Sequence, residues 1–381
     1  MRVKMSRRAR WAVPGTAVAV TAAVVAALQI PAAQASPNLP NRTPAQLLAS
    51  ISTDAKVPPM TGTVVETASL GLPQLPQTGN ATSVTSLLTG SHTMKVYYQD
   101  SKHYRLSIPQ PSSETDVIAD GSNVYVWASS SNSVTEFPQS AHKAVAPKTP
   151  QTPLTPQQAA NQVLAAVGKT TVVSDQANVM VAGEPSYQLV LAPKDSRSLV
   201  GRVVIAIAGT YGVPLRVQLF SKGASSPAFQ VGYTALQWVT PDPSNFSFTP
   251  PHGASVDVVN PDQAKSGTAT KQDTSGIGTY GNSWLTVAAF PQKDLTQGLG
   301  SSSASSSKQQ STFQSNNKGV GVSSQEVINA LLGSAKPVSG SWGSGTLVTT
   351  SLVSILMTGG EVYVGAVQPS VLYAAVGHTS L

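Results

Sequence analysis

The sequence predicts an α+β protein: a large curved antiparallel sheet, an unclosed β-barrel, with covering helices and a C-terminal α/β extension. Three observations carry this. Leu215, Val217 and Leu219 alternate with Arg216 and Gln218, the period-two pattern of a strand with one apolar and one wet face. Roughly ten such segments follow one another at short spacing, with Gly or Pro at the reversals. Helix-capping sequences precede each batch of strands, at Thr43 and at Thr155, and helices there would cover the apolar face.

The first batch of strands covers Thr61 to Thr67, Thr93 to Tyr98, His103 to Ile108, Asp116 to Ile118 and Asn123 to Trp127, the last two flanking Asp120-Gly121. The second covers Thr171 to Val173, Asn178 to Val181, Tyr187 to Leu191, Gly201 to Ala208, Leu215 to Phe220 and Phe229 to Trp238. Reversals fall at Gly183-Glu184-Pro185, 209–212 and Lys222-Gly223, where the residue types suit tight turns.

Thr43-Pro44-Ala45-Gln46 and Thr155-Pro156-Gln157-Gln158 place a capping Thr, a Pro at the first helical position and a Gln three residues on. That is a capping box, and it predicts helices over 43–52 and 155–168. Ser323-Ser324-Gln325-Glu326 predicts a third.

Residues 259–318 are poor in apolar side chains and read as a Ser/Gly-rich linker, since little buried surface would offset the ordering entropy. The island Trp284 to Phe290 interrupts it and is expected to dock as one strand. Residues 319–381 form a small helix-hairpin unit. Its hairpin turns on Gly359-Gly360, a pair that suits a type I′ turn, and Val371 to Val376 reads as a short helix. A unit of this size is expected to dock on the main sheet or on a partner.

The N-terminus gives the address. Arg2, Lys4, Arg7, Arg8 and Arg10 precede an uncharged run from Trp11 to Ile30, and Ala33-Gln34-Ala35 follows. The order matches a secretory signal, and residues 11–30 are also long enough to act as an uncleaved membrane anchor. Both readings place the residues after 36 outside the cytoplasm, secreted or in the cell envelope. The net charge of +7, less the five leader cations, leaves +2. No basic stripe is visible, so nucleic acid is not an expected partner. With no cysteine, disulfides, thiolate metal sites and a cysteine nucleophile are excluded.

No catalytic constellation stands out, and the chain reads as a non-enzyme without cofactor or metal. Gly276-Ile277-Gly278-Thr279-Tyr280-Gly281 matches the dinucleotide fingerprint but lacks the strand before it and the helix after it. The five histidines have no metal-ligand spacing, and no Gly-x-Ser-x-Gly elbow is present. The apolar face is the remaining candidate. Its expected lining is Val96, Tyr98, Leu106, Leu189, Leu191, Val203, Ile205, Leu215, Val217, Val231 and Tyr233, residue types that line lipid cavities and packed cores alike.

Several segments resemble the LolA-like superfamily of lipoprotein carriers, in an actinobacterial form. They are 39–48, Asp120-Gly121 before Val124 to Trp127, Pro185 to Pro193, Gly212 to Val217, and Phe246-Ser247-Phe248-Thr249-Pro250-Pro251-His252-Gly253. The resemblance covers residues 39–258. It implies a half-barrel with helices on its concave side and a hydrophobic cavity for lipid or lipoprotein acyl chains. It equally implies a second role, that of an envelope sensor which binds a partner protein and regulates an anti-sigma factor. The linker and tail depart from the compact carriers.

Overall fold

The computed structural model describes residues 36–52, 57–70, 89–138, 155–158, 160, 168–259, 278–292, 333 and 335–378. The leader, the third capping sequence and most of the 259–318 stretch lie outside these residues. So does part of the second predicted helix.

The main sheet has twelve strands and does not close. In chain order they are β1 (Met60–Ser69), β2 (Thr89–Tyr98), β3 (His103–Pro109), β4 (Glu114–Asp120), β5 (Asn123–Ala128), β6 (Ser133–Pro138), β7 (Thr171–Val181), β8 (Glu184–Pro193), β9 (Val200–Ala208), β10 (Pro214–Ser221), β11 (Phe229–Gln237) and β12 (Ser255–Val258). Their spatial order is β12-β6-β5-β4-β3-β2-β1-β11-β10-β9-β8-β7. Two antiparallel meanders are joined where β1 pairs with β11. The one parallel contact among the described strands is β12 on β6.

The alternation written in β10 sorts the faces as expected. Leu215 and Val217 are buried in the main core, and Leu219 packs against it. On the other face Gln218 donates to Gln230 (2.6 Å), and the stem of Arg216 lies over Gly232. A Cβ at Gly232 would come within 2.8 Å of that stem, so the missing side chain admits the arginine. β7 is one long strand where two were expected. A bulge between Gln176 and Val179 interrupts its pairing to β8 and shifts the alternation.

Both predicted capping boxes form. Thr43 N–H donates to Gln46 Oε1 (2.8 Å) and Gln46 N–H to Thr43 Oγ1 (3.2 Å). Thr155 and Gln158 repeat the pair at the same distances. The first box opens α1 (Pro44–Ser52), whose Leu47 and Ile51 are buried in the core. After the second box, Ala160 is fully buried in the same cluster.

The smaller sheet orders six strands as β13-β14-β18-β17-β16-β15: β13 (Gly278–Tyr280), β14 (Val287–Pro291), β15 (Lys336–Gly340), β16 (Gly343–Thr349), β17 (Ser354–Thr358) and β18 (Glu361–Gly365), followed by α2 (Pro369–Ala375). The apolar island docks as β14 on β18. Gly278 to Tyr280, inside the dinucleotide-like motif, is the strand β13 and leads into a single 3-10 turn, Ser283–Leu285, so among the described residues no strand-turn-helix cradle forms there. Gly359 and Gly360 have φ of 61° and 81°, the positive values a type I′ turn demands.

This sheet docks on one end of the main one. Leu199 N–H donates to Ala366 O (2.9 Å), Gln368 N–H to Arg197 O (2.8 Å) and Ser351 N–H to Leu70 O (3.2 Å). Trp284 Nε1–H donates to Thr171 Oγ1 (2.8 Å). Leu352 is buried in the main core cluster itself. Replacing it with Ala should lower stability by about 2–4 kcal/mol, read by urea unfolding; a loss below about 0.5 kcal/mol would mean that this docking contributes little.

Candidate functional site

All eleven expected lining residues fall on one face and in one cluster. Val96, Leu189, Leu191, Val203, Ile205, Leu215, Val217, Val231 and Tyr233 are buried in it, while Tyr98 and Leu106 are half-buried against it. The registers explain the gathering. Val217 sits opposite both Val231 and Ile205, and Ile205 opposite Leu189. Val96 sits opposite Leu106, and Tyr98 opposite Tyr104. The same face continues through Val117, Ala119, Val124 and Val126. It therefore crosses from β8 to β5 as one apolar surface.

The covers are short. α1 lies over β7 and β8. Tyr187 O–H donates to Pro40 O (2.7 Å), and the Arg42 guanidinium stands 5.2 Å from the Tyr187 ring centroid. Leu352 and Val353 close the end where the smaller sheet docks. The opposite face is dressed differently. Asp242 accepts from Ser244 N–H (2.9 Å) and caps a 3-10 turn. Phe246 then meets His103 (6.1 Å) and Phe248 meets Tyr125 (5.1 Å) before β12 joins β6. The Phe-x-Phe-x-Pro-Pro-x-Gly segment is a strap across the back of the sheet.

Two polar groups interrupt the apolar face. Glu66 is 3% exposed and lies across the β1–β2 pair from His92, with Nδ1 4.0 Å from Oε1. Val231 flanks Glu66 from β11. Burial holds His92 below the ordinary histidine value, because the apolar surroundings disfavour the imidazolium. On the back of the sheet, fully buried Asp116 pairs with Arg105. There burial pushes the carboxyl upward, and the guanidinium opposes it.

The sequence reading missed Glu66 and His92. Glu66 shares its face with Val64, so its parity in β1 was the available signal. His92 precedes the stretch read as β2. It also missed a cavity of about 450 Å³ at the undocked end of the sheet, where β1 begins and β2 and β11 end. Thr61, Thr63, Lys95, Tyr97 and Gln237 line it, with Gly62, Leu236 and Ala182. None of the eleven residues lines it. A smaller cavity of about 50 Å³ lies between α1 and β7. Among the described residues no group of three or more His, Asp or Glu could hold a metal, and no helix is long and apolar enough to cross a membrane.

No family model matches the chain, and no curated protein matches it. Similar solved structures include the Pseudomonas aeruginosa MucA/MucB complex, at 10% identity over 87% of this chain and 96% of that one, with a TM-score of 0.41. A LolA superfamily protein from Nitrosomonas europaea is similar at 11% identity over 55% of this chain and 99% of that one, with a TM-score of 0.20. An outer membrane lipoprotein-sorting protein domain from Vibrio parahaemolyticus is similar at 10% identity over 51% of this chain and 90% of that one, with a TM-score of 0.19. The family expected from the sequence motifs is thus among the structural neighbours; the actinobacterial type is not among those named.

The His92 environment makes a pH prediction. Its folded value is depressed, so the unfolded chain binds that proton more readily. Stability then falls as pH drops below the unfolded value of about 6.5 and through the folded one. Urea unfolding between about pH 7.5 and pH 5 should show that decline, and His92→Gln should flatten it. An unchanged slope would refute the assignment.

Proposed function

We propose that this chain is an exported, non-enzymatic binder or carrier of lipid or lipoprotein acyl chains. One observation supports this above others: an unclosed sheet keeps a wide, mostly apolar surface on its inner side, and short elements cover it. α1 has nine residues, and the opposite end is closed by a loop centred on Leu352. Covers of that size separate from a sheet at smaller cost than a second sheet would. The eleven residues from Val96 to Tyr233 are packed rather than facing a void, so acyl chains would enter as a cover moves. The cationic leader and apolar run support an extracytoplasmic location, with the membrane nearby. A similar solved structure is that of MucB in complex with MucA, and partner binding is the second reading.

That second reading, an envelope sensor that binds a partner protein, has its own support. β15 is an edge strand of the smaller sheet, and four of its five residues are exposed. Such an edge can accept a strand from another chain.

Lipid extraction of the purified protein followed by mass spectrometry tests the leading reading. A co-purifying acyl lipid and saturable binding of a fluorescent fatty acid are expected. Absence of both would sink the carrier. Ser339→Lys on the β15 edge should leave lipid binding unchanged and weaken a sensor's partner capture at least about tenfold, as an edge-strand charge does.

A further inference from the structure

The undocked rim of the main sheet carries an exposed aromatic pair. Tyr211 stands at the tip of the β9–β10 turn, where Ala208 N–H donates to Val213 O and Gly212 N–H to Ala208 O (both 2.9 Å). Gly212 has φ of 71°, a value that suits glycine and closes the turn tightly. The Tyr211 ring meets Trp238, just beyond the end of β11, with 4.7 Å between centroids. Tyr211 is 41% exposed and the next residue after Trp238, Val239, is 49% exposed. Trp238 itself is half-buried against the main core cluster. Two of the five exposed large hydrophobics among the described residues thus share one lip with a tryptophan rooted in the core. Contiguous exposed apolar groups of this kind mark contact surfaces.

The lip differs from the polar side of the same rim. Thr61, Thr63, Lys95 and Tyr97 line the rim chamber of about 450 Å³. They alternate with Gly62, Met94 and Val96, and Lys95 is in register with Ser107, which faces Asp116 on the back. Those side chains point away from the core, whereas Trp238 packs on it. The lip is also short of backbone donors. Thr61 pairs with Gln237, which brings the preceding Pro58-Pro59 alongside, and Pro241 lies two residues after Val239; none of the three has an N–H to satisfy. Trp238 Nε1–H is buried and has no hydrogen-bond partner among the described residues. Such a donor is costly until it finds an acceptor, and a tilt of the ring towards lipid ester carbonyls would supply one.

The described residues also begin at this lip. Pro37 O accepts from Asn178 Nδ2 (3.1 Å). Leu39 seats on Gly209, where a Cβ would come within 2.6 Å of it. The uncharged run ends at Ile30, seven residues before Pro37, a reach of at most about 25 Å. A leader kept as an anchor would hold this lip near the bilayer, rather than the end closed by Leu352 and the smaller sheet.

We propose that the lip formed by Tyr211, Trp238 and Val239 docks on a phospholipid bilayer, with its two rings at the headgroup level and the open end of the inner face towards the membrane. Tyr and Trp suit that layer because each joins an apolar ring to one polar group. The rim around them mixes Asp100 and Asp242 with Arg42 and Lys102, so apolar contact drives the docking and charge does not. The inference rests on the acyl-binding reading and adds the route: chains pass between bilayer and inner face at this lip.

The test uses the exported chain from Ser36 with vesicles of neutral dioleoylphosphatidylcholine, plain or brominated in the acyl chains. Its tryptophans are Trp127, Trp238, Trp284 and Trp342. Trp127 lies under the strap on the back, Trp284 bonds Thr171 at the docked end, and Trp342 stacks on Tyr373 in the smaller unit. Brominated vesicles should quench the wild-type emission. Trp238→Phe should abolish that quenching while the protein still floats with vesicles. Tyr211→Asp combined with Val239→Asp should weaken flotation at least about tenfold, since binding follows buried apolar area. The same double variant should bind N-phenylnaphthylamine in vesicle-free solution as the wild type does, which verifies an intact fold. Quenching that survives Trp238→Phe would put the membrane on another face and overturn the docking lip. Undiminished flotation of the double variant, or no flotation of the wild type, would overturn it too and leave the acyl-binding reading standing. Flotation with no N-phenylnaphthylamine binding by the wild type would remove the acyl-binding reading and the route, and leave the membrane contact in place.

Discussion

Everything in this structure answers to one constraint: a sheet of twelve strands that never closes must keep its oily side out of water. A closed barrel would bury that side against itself. Here the burial is shared among unlike parts. α1 takes the region over β7 and β8, Ala160 anchors a second helical segment, and a loop from the smaller sheet takes one end. The smaller sheet is therefore part of the main core, although its own cluster around Tyr363 and Leu372 is separate.

The two sides of the sheet are finished by different means. The back is tied with aromatic contacts and an ion pair: Phe248 against Tyr125, Arg202 over Phe220 at 3.8 Å, and Arg105 with Asp116. These contacts are local and rigid. The inner side relies on aliphatic packing, which is non-directional and tolerates exchange of one hydrocarbon for another. Glu66 and His92 are the polar exception on that side.

Much of the architecture was readable because the residues involved obey local rules. Leu215 to Phe220 alternate cleanly, Thr43 with Gln46 and Thr155 with Gln158 have the capping spacing, and Gly359-Gly360 accepts the two positive φ values of a tight hairpin turn. β6, β12 and β15 escaped because edge and near-edge strands carry Ser, Asp, Lys and Pro, whose alternation is weak. β7 was split because Ser174 to Ala177 are exposed at the sheet edge, where polarity resembles a loop. The inner lining was legible as a face but not as a void, since Val, Ile and Leu fill cores and line cavities equally well. The rim chamber was hidden for another reason. Its walls come from β1, β2, β11 and the β7–β8 turn, segments that meet only through the curl of the sheet.

The contact of Ser198 with Ala366 joins positions 168 apart in sequence. A segment of the smaller sheet therefore seals strands made well before it. The base of the cup cannot shut until the smaller sheet is in place, and until then an uncapped greasy trough faces water. A chain built in this order would lean on holdase chaperones while it folds, and loss of the smaller sheet would expose it to proteases even where every strand of the larger sheet is intact.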